Sequence, residues 1–442
     1  MAAPVLRIAC VALAATAGWL ALPAPAWAAG SGTTPGPAAF DTLLVAPAMR
    51  PDLLERAALQ RNPTLAAAAA TAAEAAARAD ATGRFMSPML DGMVAPRAIG
   101  NEEVAAPGYQ VGLSQSLPLW GTRGLEKKAA RAEARAASED LRTARLDLLR
   151  ETRRLYYEFY LVERGLEVNQ EQKDLLGHIR SLAVQKYASG VVGQQDALQA
   201  EVELAMLDHE AIVLARDRRI VRARLNAILH RAPEEYLPAP LDSIPAPEEG
   251  DEPFAGPNAS TLRPDVKRAE AERDARAAEL ELAGKGRIPE LTLVARYDAM
   301  WAEHELRPTV GAEMSLPFLF GRVSGSEREA RAGLARREQE RLAVIDRARL
   351  EIEEALARVQ ETRHEIHVIE TGVLPATERA LTSVRTAYES NRSDFAALLN
   401  AERDLARARL DGQRARVGYR LALADYERAI AIDANPTGEA PR

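Results

Sequence analysis

Residues 111–121 read VGLSQSLPLWG, and residues 310–321 repeat them in altered form as VGAEMSLPFLFG. The flanks repeat as well. Pro63 and Pro264, Pro88 and Pro289, Tyr187 and Tyr388, and the Ala-Glu pairs at 200–201 and 401–402 are each separated by 201 positions, while Pro118 and Pro317 differ by 199. A spacing kept with small slips over most of the chain is the mark of an internal duplication.

Within each copy, side chains alternate with the period of two that a strand requires and a helix does not tolerate. In the first, Tyr109, Val111, Leu113 and Leu117 share one face and Gln110, Gly112, Ser114 and Ser116 the other, with Gln115 interrupting the apolar side. In the second, Val310, Ala312, Met314 and Leu316 oppose Thr309, Gly311, Glu313 and Ser315. A partner segment precedes each copy. Leu291, Leu293, Ala295 and Tyr297 alternate with Thr292, Val294, Arg296 and Asp298, and a weaker version runs from Met89 to Val94. Each repeat therefore offers a two-stranded hairpin, at 85–118 and 289–317, with strands of roughly nine residues, enough for a tilted strand to cross a bilayer.

The chain begins with the pattern of a secretory signal over residues 1–28. Arg7 supplies the positive region, Ile8 to Leu22 the apolar core and Ala26-Trp27-Ala28 the cleavage site. Cys10 lies inside that segment, so the mature chain is expected to carry no cysteine, and hence no disulfide or thiolate metal site. Composition is that of a helical protein, with 27% charged residues, 5% aromatics and long alanine runs. Lys+Arg number 57 against 64 Asp+Glu, interspersed, for a net charge of −7, which argues against a nucleic-acid surface.

After a flexible segment at 29–50, the first repeat spans 51–230. A helix is expected from Asp52 to Gly83, then the hairpin, then an uninterrupted helix from Thr122 to about Ser189, which at 1.5 Å per residue reaches roughly 100 Å. Leu141, Leu148, Leu155 and Val162 recur every seven residues along it and predict a coiled-coil seam rather than a broad buried face. Ser189-Gly190-Val191-Val192-Gly193 turns the chain, and a return helix follows from about Gln195 to His230. The proline-rich stretch 231–261 reads as an extended link without helix. The second repeat, 262–432, has a helix from Pro264 to Gly284, the second hairpin, a long helix from about Arg322 to Ser390, a turn at Asn391 and a helix from Asp394 to Ile432. Its seam is Ile345, Ile352, Val359, Ile366 and Val373, with a kink expected at Gly372 and Pro375. Residues 433–442 read as a disordered tail.

Four membrane-length strands cannot close a barrel, and open edges find no water in a bilayer, so the strands must join those of other copies. Eight strands from two chains would leave little lumen, whereas twelve from three match known outer-membrane barrels, so a homotrimer is expected. The fold class is then mainly α with a pair of membrane β-hairpins: a long helical α-barrel plus a β-barrel completed by trimerisation, built from two internal repeats. Gln110, Ser114, Ser116, Arg296, Asp298 and Glu313, with Thr309, would face the water-filled lumen. Tyr109, Trp120, Tyr297, Trp301, Phe318 and Phe320 fall at strand ends, where an aromatic girdle meets the lipid interface.

At this point the chain resembles the outer-membrane efflux protein (TolC-like) family, and within it the branch that serves heavy-metal resistance–nodulation–division (RND) pumps. The resemblance rests on the duplicated helix–hairpin–long helix–return helix plan, on SQSLPLWG and MSLPFLFG, on KYASGVVGQQDALQAE (186–201) and AYESNRSDFAALLNAE (387–402), and on NPTLAAA and SPML about the first hairpin. It implies a passive trimeric conduit across the outer membrane and periplasm, working with a periplasmic adaptor and an inner-membrane pump. It also implies a gate where the periplasmic helical tips curl inward. Asp196 matches a latch carboxylate at the first tip and Tyr388 a tyrosine at the second, and Arg392 would supply the opposing charge. Two aspartates that ring the aperture in some members correspond here to Ala397 and Asn400, which puts such a ring in doubt. Asp394 is well placed as an ordinary helix N-cap.

No cofactor, metal site or catalytic group is expected. Glu361, His364 and His367 share one helix face, but a di-iron bundle needs a second Glu-x-x-His and the zinc-protease spacing is one residue longer, so exposed polar residues are the plainer reading. Glu303-His304-Glu305 reads as a solvated outer loop. Two alternatives stand beside efflux: an outer-membrane channel for type I protein secretion, which would use the same tube, and a periplasmic coiled-coil adaptor, which would have no lipid-facing strands.

Overall fold

The computed structural model describes residues 47–95, 108–117, 121–247, 255–256, 258–299, 307–315 and 322–431. The expected signal segment, most of the flexible lead, the hairpin loops, part of the proline-rich link, the C-terminal tail and Trp120, Trp301, Phe318 and Phe320 lie outside these residues.

The N-terminal helix expected over 52–83 is two helices, α1 (Pro51–Arg61) and α2 (Pro63–Ala81). A residue before proline is pushed out of the helical region, and Asn62 obeys with ψ of 119°. Its side chain accepts the Thr64 and Leu65 amides at 3.0 and 3.1 Å and donates to the Ile228 carbonyl at 3.1 Å. The break thus caps α2 and also ties it to the end of the return helix.

Strands β1 (Met89–Ala95) and β2 (Gly108–Leu117) precede α3 (Thr122–Ala188), a helix of 67 residues launched from Gly121 at φ +79°. Helix α4 (Gln194–Ile228) returns beside it. The link behind α4 runs without helix through its described residues to 256, but one helical turn, α5 (Ala259–Leu262), stands at its end, where no helix is expected. Its apolar side chains anchor it: Leu237 and Ile244 are buried with Tyr156, Tyr160, Leu225 and Leu229, and Met49 N donates to the Ala239 carbonyl at 2.7 Å. The buried Asn226 holds the start of the link, donating to the carbonyls of Pro233 and Glu235.

The second repeat gives α6 (Pro264–Lys285), β3 (Leu291–Asp298), β4 (Pro308–Met314), α7 (Arg322–Val368), a π-helical turn at Ile369–Val373, α8 (Leu374–Glu389) and α9 (Phe395–Ala429). The long helix is therefore interrupted at Gly372 and Pro375. Proline removes a donor and a π turn absorbs the lost register.

The two seams behave differently. Ile345, Ile352, Val359 and Ile366 are buried, while Val373, in the π turn, is 42% exposed. On α3 the heptad reading is too narrow. Of its four positions only Leu155 is buried, and the covered face widens to Tyr156, Tyr157, Phe159 and Tyr160, where the helix packs against α1, α4 and the link. Each large apolar side chain so covered is worth about 1.5–3 kcal/mol, so this cluster anchors the middle of the fold.

Candidate functional site

The four strands form one antiparallel sheet in the order β1-β2-β3-β4. Its register sets Gln110 opposite Met93 and Asp298, Gly112 opposite Asp91 and Arg296, Ser114 opposite Met89 and Val294, and Thr292 opposite Ser116 and Glu313. Because cross-strand partners share a face, Gln110, Ser114, Ser116, Thr292, Arg296, Asp298, Thr309 and Glu313 lie together, joined by Asp91, which the weak pattern of β1 had hidden. The Asp91 carboxylate lies over Gly112, in the space a Cβ would take, and Arg296 pairs with Glu313 at 3.3 Å. The other face carries Leu90, Val94, Tyr109, Val111, Leu113, Leu293, Tyr297 and Val310. Val310 is 88% and Leu90 77% exposed, which is tolerable only against lipid or another apolar surface. Tyr109 and Tyr297 stack at one end of this face, ring centroids 6.2 Å apart. Gln115, the exception on the apolar side, donates to the carbonyls of Met86 and Ser116 and so ties the foot of β2 to the chain entering β1.

At the opposite end of the long helices the two repeats close in the same way. Val191 N donates to the Lys186 carbonyl and Gly190 N to that of Tyr187; 201 positions on, Arg392 N donates to Ala387 and Asn391 N to Tyr388. Both are Schellman turns, with Gly190 at φ +71° and Asn391 at φ +57° in the left-handed position. Asp394 N-caps α9, accepting the Ala397 amide at 2.8 Å, where Gly193 offers α4 no side-chain cap. Between the tips lies a small apolar core of Leu176, Ile179, Ala183, Ala200, Leu207, Phe395 and Leu398, and Tyr388, 1% exposed, is buried in it. The Tyr388 hydroxyl donates to Asp196 Oδ2 at 3.3 Å, and Asp196 is itself buried in the first turn of α4. Burial, the Asp196 charge and that hydrogen bond push the Tyr388 hydroxyl up to about 12, so it remains a donor at any physiological pH.

A family model described as outer membrane efflux protein matches residues 54–230 and 257–430, which takes in both repeats. The chain belongs to the outer membrane efflux protein family. Among curated relatives, this efflux protein is 26% identical to the pyoverdine export outer membrane protein OpmQ of Pseudomonas aeruginosa over 72% of its own length and 68% of the relative's. It is 21% identical to the cobalt-zinc-cadmium resistance protein CzcC of Cupriavidus metallidurans over 66% and 70% of the two chains. Among solved structures, CusC superposes with a TM-score of 0.76 at 18% identity, covering 88% of this chain and 94% of that one. The Campylobacter jejuni CmeC outer membrane channel gives 0.74 at 17%, covering 86% and 85%. At these identities the structures establish the fold, and the family establishes an outer-membrane efflux channel of tripartite systems with a large periplasmic helical part, a conduit rather than an enzyme. No described helix of the efflux protein is long and apolar enough to cross a membrane.

Around the Tyr388–Asp196 pair, the efflux protein departs from the sequence reading in its choice of cation. Arg392 is exposed; its side chain turns back to Ser390 Oγ at 3.1 Å and makes no ion pair with Asp196. The cation at the buried tyrosine is Lys186, whose Nζ sits 4.4 Å from the Tyr388 ring centroid. Asn400 is exposed and Ala397 half-buried. A second missed group is Glu402 on α9. Its counterpart in the first repeat, Glu201, is exposed and paired with Arg180, whereas a Glu402 carboxylate oxygen is buried without a hydrogen-bond partner. Burial pushes this carboxyl up to about 7 despite Arg385 and Arg409. Beside it, Arg403 and Glu203 form a further bridge between the hairpins. Glu361, His364 and His367 are exposed on α7.

Proposed function

We propose that the protein works as a homotrimer, a passive conduit whose β-barrel is completed by twelve strands and whose periplasmic tips open to let cargo through. What supports this most is the sheet itself. It has one apolar and one polar face, and β1 and β4 each carry an edge that pairs with no other described strand. Pairing β4 of one copy with β1 of the next removes every edge and turns the polar face toward water. Two copies would give eight strands and leave little lumen, and three give a water-filled one. Tyr109 and Tyr297, with Trp120, Trp301, Phe318 and Phe320, would form the interfacial girdle.

In this reading the gate is the Tyr388–Asp196 pair, holding the tip hairpin of the second repeat against that of the first. An adaptor and an inner-membrane pump of the RND type would release it and supply the energy. The cargo is proposed to be heavy-metal cations, a reading supported by the relative named as a cobalt-zinc-cadmium resistance protein, and the relative named for pyoverdine export favours small organic molecules as the second reading. Deleting the gene and measuring growth inhibition by cobalt, zinc and cadmium beside a panel of organic toxicants separates the two. Metal sensitivity alone supports the first, and sensitivity to organic compounds alone overturns it. Light scattering of the detergent-solubilised protein tests the assembly, since a mass other than three mature chains sinks the twelve-strand barrel.

A further inference from the structure

The tip carries a contact that the latch pair does not account for. Lys186 stands in the last turn of α3, and its ammonium reaches across to the end of α8 in the other repeat. There it donates to the carbonyls of Tyr388 and Glu389 and to Asn391 Oδ1, the last at 2.7 Å, while lying over the Tyr388 ring. All three N–H donors of the ammonium are used. Two of the acceptors are carbonyls at a helix C-terminus, where the helix dipole places partial negative charge; the Tyr388 carbonyl takes the Lys186 ammonium in addition to the Asn391 amide of the turn, as a carbonyl with two lone pairs can. The third is the side chain of the residue in the left-handed turn position. We propose that Lys186 is a second fastener of the closed tip, a positioning residue that pins the end of α8 and holds the Tyr388 ring in the orientation from which its hydroxyl reaches Asp196. The inference rests on the tip being the gate.

The duplication shows that this is not a generic feature of the fold. Two hundred and one positions after Lys186 stands Ala387, and the same distance after Asp196 stands Ala397. Tyr187, the counterpart of Tyr388, is 47% exposed against 1%. The two charged side chains that fasten the tip thus belong to the first repeat and the buried ring to the second. The hairpins are joined by an arrangement that duplication alone would not have produced. Lys186 grips backbone and ring face, Asp196 grips the hydroxyl, and the two approach the same side chain by different chemistry. Replacing Tyr388 by phenylalanine therefore removes the Asp196 bond while leaving the Lys186 seat in place.

The test is single-channel conductance of the full-length protein in planar bilayers, for Lys186→Met, Lys186→Arg and Asp196→Ala. Methionine keeps the stem and loses every donor. Arginine keeps the charge, the donors and the stacking. Loss of charge-assisted hydrogen bonds and a cation–π contact together corresponds to about a tenfold rise in the open-to-closed ratio. The expected result is that increase for Lys186→Met, with Lys186→Arg close to the unaltered protein and the trimer mass of both unchanged. If Asp196→Ala opens the channel and Lys186→Met does not, the fastener is wrong while the latch stands. If neither does, the gate reading itself fails and takes the fastener with it. If Lys186→Arg opens the channel as much as Lys186→Met, the ammonium's seat is not what holds the tip.

Discussion

Arg153 on α3 donates through Nε to the Glu55 carboxylate at 2.5 Å, although the two lie 98 residues apart, and its guanidinium also holds Glu427 on α9. One arginine thereby joins α1, the long helix of the first repeat and α9. Glu55 is 6% exposed. Burial outweighs the attraction of Arg153 and keeps its carboxyl above the usual range, while the two carboxylates keep the guanidinium firmly charged.

Removing the cation should be far worse than removing the anion. Arg153→Met leaves a buried carboxylate without its partner, which costs about 3–5 kcal/mol. Glu55→Gln removes a group whose raised pKa already costs stability above its ordinary value, so its effect at neutral pH should be much smaller. Thermal unfolding of the detergent-solubilised protein at pH 7 checks this, and equal losses for the two variants would show that the pair is not buried as described.

The latch should behave as one unit. Tyr388→Phe and Asp196→Ala each remove the same hydrogen bond to a buried carboxylate, worth about 1–3 kcal/mol, so each should raise conductance and the double variant should add little. A tyrosine pushed from 10 to about 12 contributes fully below pH 10, and that contribution is lost as pH rises toward 12. Conductance should therefore be level from pH 7 to 9, and a rise within that range would show that the hydroxyl is not the donor.

Glu402 should cost the fold stability at neutral pH. A carboxyl raised from 4.5 to about 7 keeps its full contribution below pH 4.5 and loses it as pH climbs through 7. Glu402→Gln should stabilise the protein at pH 8 by about 1–2 kcal/mol, after discounting for partial exposure. The difference in thermal midpoint should shrink toward zero near pH 4.5. A pH-independent difference would contradict the burial of this group.

The faces of the sheet can be told apart by one residue. Leu113→Arg places a charge on the apolar face, at a cost of about 2–4 kcal/mol at membrane depth, while Ser114→Arg places it on the polar face at little cost. The yield of trimer in outer-membrane fractions measures both. If the two substitutions are equally tolerated, the face assignment is wrong.

Much of this architecture could be read from local pattern. The duplication, the alternation of the four strands, the proline-free α3, the left-handed turns at Gly190 and Asn391 and the N-cap at Asp394 depend on backbone rules that act within a few residues. The interruption at Gly372 and Pro375 does too. The break at Asn62 is equally local, since the residue before a proline leaves the helical region, which a single helix over 52–83 overlooks. The width of the buried face on α3 was not local. Heptad spacing marks which side of a helix is apolar but not how many neighbours surround it, and Tyr156, Tyr157 and Tyr160 are covered by α1, α4 and the link.

The sequence by itself determined that the chain is two copies of a helix–hairpin–helix unit whose strands have one apolar face and one polar face. Only the tertiary structure decided which side chains meet at the tips. Arg392 and Lys186 are both cations beside a turn, and Glu201 and Glu402 each follow an alanine at the matching place in the two repeats, so residue type and position alone do not tell their environments apart. Their environments differ because partners about 200 residues apart are brought together by the rotational phase of helices dozens of residues long. A small change of phase at the far end of such a helix exchanges a buried side for an exposed one, and that phase is set by packing along its whole length.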